Sequence, residues 1–114
     1  MQVKLRVSQG SKTGKELRIP GPLFRIGRGE DCHLRPKSDA ISRNHCEIHI
    51  EDAKVFIVDL GSKNGTYVND ERIEGKRELK MGNLLRVGRL EFEVLIDHSL
   101  GGAKRPKVVD VKQA

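Results

Sequence analysis

The stretch His45-Cys46-Glu47-Ile48-His49-Ile50-Glu51-Asp52-Ala53-Lys54-Val55-Phe56-Ile57-Val58-Asp59-Leu60 decides the fold. In its first half Cys46, Ile48 and Ile50 alternate with Glu47, His49 and Glu51, the two-residue period of a strand with one buried face. Glu51 to Lys54 reads as a tight turn. Val55 to Leu60 reads as the returning strand, and its near-continuous apolar character predicts burial on both sides.

The same grammar extends in both directions. Toward the N-terminus, Val3, Leu5 and Val7 alternate with Lys4 and Arg6, and Leu17 with Ile19 forms a second short run after a turn-rich break. Leu23 to Arg28 is a third run, with Phe24 and Ile26 on one side, and Cys32 to Leu34 a brief fourth. Toward the C-terminus come Thr66-Tyr67-Val68, an Asn69-Asp70 turn with Ile73, and a final pair, Leu79 to Val87 and Leu90 to Ile96, joined at Gly88-Arg89. Turn signals recur about every eight to twelve residues, which predicts an all-β sandwich or barrel. No stretch holds a 3.6-residue period over about eleven residues, so a nucleotide-binding βαβ unit is not expected.

Bulk properties set the frame. The chain has 114 residues, enough for one domain with its own core. With one Tyr, three Phe and no Trp, Val, Ile and Leu must fill most of the interior. No apolar run approaches the roughly 20 residues of a membrane span, and Met1-Gln2-Val3-Lys4-Leu5 lacks a signal-peptide layout, so a cytoplasmic protein is expected. Cys32 and Cys46 have no paired-cysteine spacing and read as reduced thiols. The net charge of +6 admits anionic partners but is also ordinary for solubility. After Ile96 the pattern stops. Residues 98–114 read as a basic linker or tail, in which Val108, Val109 and Val111 leave a further edge strand open.

Three polar, glycine-punctuated pieces stand where strand patterns meet turn patterns: Gly27-Arg28, Ser42-Arg43-Asn44-His45 and Asp59 to Thr66. They offer hydroxyls, guanidiniums, an amide and bent backbone, the equipment for holding a phosphate. Gly27 permits an otherwise strained backbone, and Arg28 at a strand end can aim its planar fork at an anion, although taken alone it reads better as a surface arginine. Ser42 supplies a hydroxyl and Arg43 a neighbouring charge. His45 reads as a brace, a ring nitrogen bonding backbone. Asp59 can accept N–H bonds from the turn that follows it. Asn64-Gly65 is a tight-turn pair, the Asn64 amide can pair with both polar groups of an extended peptide, and Lys63 is a mobile cation at the apex.

Other chemistries find little support. Gly27-Arg28-Gly29 lacks the third glycine and following helix of a dinucleotide fingerprint. His45 and His49 lie in a strand pattern and Cys32, His33 and Cys46 are dispersed, so no metal is expected. Cys46 on a buried face is a poor nucleophile, and no cofactor or catalytic constellation is legible. Basic residues are not interleaved with aromatics, so nucleic-acid binding is not expected.

Phe24-Arg25-Ile26-Gly27-Arg28, Ser42-Arg43-Asn44-His45-Cys46-Glu47-Ile48 and Asp59 to Asn69 together resemble the forkhead-associated (FHA) domain, with a weaker echo in Leu79 to Asn83 and Arg86-Val87-Gly88. The resemblance covers roughly residues 3 to 97 and implies a β-sandwich of about eleven mostly antiparallel strands with binding loops at one end. It implies a non-catalytic module in Ser/Thr-kinase signalling that binds phosphothreonine proteins or peptides over residues 1–97. By position, Arg28 and Ser42 contact the phosphate, Arg43 and Lys63 add contacts, and Asn64 holds the ligand backbone. Gly27, His45, Asp59, Gly61, Ser62, Gly65 and Thr66 shape the loops. Asn83 stands where Asp is common, a departure expected to affect turn packing only. A phospho-independent scaffold or self-association module using the sandwich faces is the alternative.

Overall fold

The structure is a computed structural model that describes residues 1–10 and 12–98. The readings made for residues 99–114, including the valine-rich edge strand, lie outside the described residues.

Hydrophobic alternation translates directly into strands. They are β1 (Gln2–Val7), β2 (Glu16–Arg18), β3 (Leu23–Ile26), β4 (Cys46–Glu51), β5 (Lys54–Asp59), β6 (Thr66–Val68), β7 (Glu71–Arg72), β8 (Lys76–Leu79), β9 (Leu84–Val87) and β10 (Leu90–Asp97). They form two antiparallel sheets, one ordered β2-β1-β10-β9-β6-β7 and the other β3-β4-β5-β8. The all-β expectation holds, with ten strands among the described residues where about eleven were expected. Alternate residues of both sheets meet in one core, in which Leu5, Ile26, Ile48, Ile57 and Leu85 are wholly buried. Removing apolar surface from water at roughly 25 cal/mol per Å² is what holds two such sheets together.

The β4–β5 hairpin pairs Cys46 with Asp59 and Glu51 with Lys54. Its two turn residues, Asp52 and Ala53, have φ of 51° and 61°, as a type I′ turn requires to match the twist of the strands. Asn69 and Asp70 repeat the device between β6 and β7.

Three expectations are corrected. The brief strand over Cys32–Leu34 reduces to a single parallel bridge between Leu34 and Ile26. The N–H groups of His33 and Leu34 both turn onto the Arg25 carbonyl, and the Arg25 N–H donates to His33 Nδ1 at 2.9 Å, so no ladder can extend. The run Leu79 to Val87 is broken by a turn at residues 80–83, where the Asn83 side-chain oxygen accepts the Lys80 N–H at 2.7 Å. Asn83 thus spends its side chain on that turn, as its position in the sequence suggested. Finally, β5 is buried on one side rather than two: Val55 and Ile57 face the core, while Phe56 and Val58 are half-buried. The Lys76 ammonium lies 4.5 Å from the Phe56 ring centre and covers part of that outer face.

Candidate functional site

The β3–β4 and β5–β6 connections lie side by side, and backbone hydrogen bonds fix their register. Gly27 N–H donates to the Leu34 carbonyl at 3.0 Å, Arg28 N–H to that of Ser42 at 3.1 Å and Gly29 N–H to that of Arg43 at 2.9 Å. Leu60 N–H donates to the His45 carbonyl at 3.0 Å, which brings in the third piece. The close approach explains Gly27 in a way its sequence context did not. Its φ is not in the left-handed region. A Cβ there would collide with the Arg43 carbonyl, so space rather than conformational freedom demands glycine.

The residues singled out for ligand contact wrap around the tripeptide Ala40-Ile41-Ser42. Arg28 Nε donates to the Ile41 carbonyl at 2.5 Å, leaving the outer edge of the fork for another acceptor. Asn64 Nδ2 donates to the Ala40 carbonyl at 2.9 Å. Ser42 Oγ accepts the Lys63 N–H at 3.0 Å, which consumes a lone pair and leaves the hydroxyl hydrogen to donate. Arg43 contributes its carbonyl to the loop, accepting from Gly29 N–H and from Cys32 Sγ at 3.2 Å, and its side chain is exposed.

Beneath these groups sits His45, fully buried. Its Nδ1 accepts the Ser42 backbone N–H at 3.0 Å, so Nε2 carries the proton and donates to the Gly65 carbonyl at 2.9 Å. One ring therefore ties the serine loop to the Asn64-Gly65 turn. It bonds the backbone of Ser42 and not its hydroxyl, so the pair is not arranged as a nucleophile and base.

Asp59 organises the other loop. Its carboxylate accepts the Gly61 and Ser62 N–H groups at 3.1 Å each, the Ser62 hydroxyl at 2.6 Å and the Thr66 hydroxyl at 2.7 Å. Burial pushes the Asp59 carboxyl upward, but the hydrogen bonds from Ser62, Thr66 and Gly61 outweigh it and hold the group below the ordinary carboxylate range. Gly65, at φ +87°, completes the turn; a Cβ there would also meet the Arg72 guanidinium at 2.7 Å.

Charge is left uncompensated at the rim. Among the described residues, Arg28, Arg43 and Lys63 form no ion pair, whereas Arg25, three residues before Arg28, pairs with Glu47 at 2.6 Å and Asp31 at 3.0 Å. No cluster of metal-ligating side chains occurs among the described residues. Burial drives the Cys46 thiol up to about 12, which keeps it protonated and inert at neutral pH. Both cysteines are free thiols.

Sequence reasoning missed the two carbonyls that aim the site, those of Ala40 and Ile41. The one signal was an isolated isoleucine inside a polar loop. Ile41 is 1% exposed and packs against Gly88, anchoring the loop to the opposite sheet.

A family model described as the FHA domain matches residues 24–88. The protein FhaB of Mycobacterium tuberculosis is 28% identical over 90 residues, covering 79% of this chain and 58% of the relative. The glycogen accumulation regulator GarA of Mycolicibacterium smegmatis is 31% identical over 91 residues, covering 80% of this chain and 57% of the relative. This chain thus spans a little over half the length of these relatives. A solved FHA domain, studied for phosphothreonine-dependent interactions, superposes with a TM-score of 0.75 at 31% identity, covering 85% of this chain and 98% of that one.

Proposed function

The chain belongs to the FHA domain family, and from that membership and the loop geometry we propose that it is a non-catalytic reader of phosphothreonine-containing proteins, placed downstream of a Ser/Thr kinase. The observation that carries the reading is the convergence of Arg28, Ser42 and Asn64 on one tripeptide, with Lys63 tied to Ser42. The Arg28 fork and Ser42 hydroxyl take the phosphate oxygens, and the Asn64 side chain pairs with the ligand backbone. Arg43 and Lys63 add charge. Gly27, His45, Asp59, Gly61, Ser62, Gly65 and Thr66 hold the loops in place.

Pre-positioning lowers the cost of binding. Arg28 is held through Nε and Ser42 through its backbone and oxygen, so few rotamers are lost when ligand arrives. Charge-assisted bonds contribute roughly 1.5–3 kcal/mol each, so two or three of them with backbone pairing support a micromolar complex, about −8 kcal/mol. Residues 1–97 form the binding unit, with 98–114 as a basic linker or tail, and the module works in the cytoplasm. No helix among the described residues is long and apolar enough to cross a membrane.

The decisive measurement is a titration with one peptide in phosphothreonine and unmodified forms. The phosphorylated form is expected to bind in the micromolar range and the unmodified form far more weakly. Equal affinity for the two would overturn the reading.

A further inference from the structure

We propose that Gly88, on the opposite sheet, is a positioning residue for the phosphothreonine site: through Ile41 it sets where the Arg28 fork and the Asn64 amide stand. This rests on the phosphothreonine reading above and adds to its machinery a residue from outside the two loops.

Gly88 and Arg89 form the turn between β9 and β10, with Val87 paired to Leu90 across it. Gly88 has a φ of +62° and Arg89 is not in the positive-φ region, the pattern of a type II′ turn, which places glycine first. A second demand on Gly88 comes from across the sandwich. A Cβ there would lie 2.6 Å from Ile41 Cγ1, 3.3 Å from Ile41 Cδ1 and 3.4 Å from Ala40 Cβ. The first of these is far inside van der Waals contact. Ile41 cannot swing aside, because it is β-branched and stiff at χ1 and is 1% exposed within the packed core. Any push on its side chain therefore passes to its backbone.

That backbone is the part of the loop that aims the site. The Ile41 carbonyl accepts from Arg28 Nε at 2.5 Å and the Ala40 carbonyl from Asn64 Nδ2 at 2.9 Å. The two residues that abut Gly88 are thus the two whose carbonyls hold the ligand-binding side chains. Their N–H groups turn back on Ser38 of their own loop, that of Ile41 to its carbonyl and that of Ala40 to its hydroxyl, both at 3.2 Å. Those bonds shape the loop without tying it to the far sheet. The Ile41 side chain makes that tie, with the bare Cα of Gly88 as its seat, and so fixes the depth at which both carbonyls stand. Binding groups must be held within about 0.5 Å of their productive geometry, so a methyl at this seat displaces Arg28 and Asn64 together. The turn alone explains a glycine at 88; the contact with Ile41 is what couples it to the phosphate loops.

The test uses the full chain and one labelled phosphothreonine peptide beside its unmodified form, well below the melting temperature of each variant. Gly88→Ala is expected to weaken phosphopeptide binding about tenfold. Ile57→Ala, whose side chain faces the core, measures destabilisation alone and is expected to stay within about twofold of wild type. Adding Ile41→Ala removes the atoms that the new methyl strikes, while the turn at residue 88 stays as strained as before. In that background Gly88→Ala is expected to cost less than about twofold. An equal loss in both backgrounds would make turn strain the cause and overturn the proposal. The second readout needs no ligand: exchange of the Arg28 Nε–H with solvent, followed by NMR. It is expected to quicken about tenfold or more in Gly88→Ala and to stay near the wild-type rate in Ile57→Ala. A folded Gly88→Ala with wild-type exchange and unchanged affinity would also overturn it. If Gly88→Ala does not fold, Ile41→Val takes its place, since it removes only Cδ1 and leaves the seat partly empty. It is expected to weaken the phosphopeptide about threefold and to quicken the same exchange, and no change in either would sink the idea. If wild type binds both peptide forms equally, the phosphothreonine reading fails, while exchange at Arg28 still decides whether Gly88 places the fork.

Discussion

At the scale of single residues, the site is built from side chains whose free ends are ready because their near ends are already bonded. Arg28 is the clearest case. Its Nε is fixed on the Ile41 carbonyl, and its remaining N–H groups project from an exposed strand end. Arg28→Ala is expected to weaken phosphothreonine-peptide binding by about 2–4 kcal/mol, roughly 30- to 1,000-fold, with little change in melting temperature. Calorimetric titration beside a thermal melt checks both halves. His45 works in the opposite sense. It reaches no solvent and makes two backbone bonds, so its removal would strand the buried Gly65 carbonyl and the part-buried Ser42 N–H rather than a ligand contact. Sequence reading placed both residues in the polar segments that fold together. It could not show that Arg28 depends on Ile41, because that bond joins residues brought together only by folding.

The scale of elements concerns turns that are locked by a single acceptor. Asp59 closes the β5–β6 connection with four hydrogen bonds from three residues, all within seven positions of it in sequence. Such local bonds are legible in advance, since Asp followed by Gly-Ser and then Thr is a turn pattern. Its folded value is depressed below the ordinary 3.8 because the donors from Ser62, Thr66 and Gly61 prevail over burial. The stabilisation is therefore whole above pH about 3.8 and is lost as pH falls through the lower folded value. Asp59→Asn keeps the shape but replaces one of the two accepting oxygens by an NH2 donor. We expect it to cost about 1–3 kcal/mol at neutral pH. We also expect a shallower stability decline in acid than wild type, read from denaturant midpoints between pH 7 and pH 2. Glu47 follows the same sign. Burial raises it, but His49 and Arg25 outweigh that and keep it low.

For the whole molecule, loops and core have separate duties. On the proposed reading, the sandwich supplies rigidity and the loops after β3 and β5 supply recognition. Ile57 lies near the centre of β5, wholly buried, and its side chain faces the core rather than either loop. Ile57→Ala is expected to destabilise the fold by about 2–5 kcal/mol and to lower Tm by more than about 8 °C. Affinity for phosphopeptide, measured well below the new Tm, should remain within about twofold, because no loop hydrogen bond passes through Ile57. A large loss of affinity at full folding would show that core and loops are more tightly coupled than this division allows.

The sequence by itself determined the sheet class, most strand positions, the hairpin turns and the residue types at the site, because each rests on short-range rules. Alternation of Cys46, Ile48 and Ile50 sets a buried face, and paired turn residues set a hairpin. It overextended the run from Leu79 to Val87, since apolar residues persist there while Asn83 and Gly82 bend the backbone. It also promised two-sided burial for β5, because only the assembled sheets reveal that Phe56 and Val58 on its outer face stay half-buried, with Lys76 over the Phe56 ring. Tertiary structure alone decided why Gly27 must be glycine, which tautomer His45 adopts, and how Ala40 and Ile41 aim Asn64 and Arg28. The Ser42–His45 bond aside, the hydrogen bonds concerned join positions 13 to 24 residues apart, and their geometry is set by the docking of two loops that no local pattern encodes.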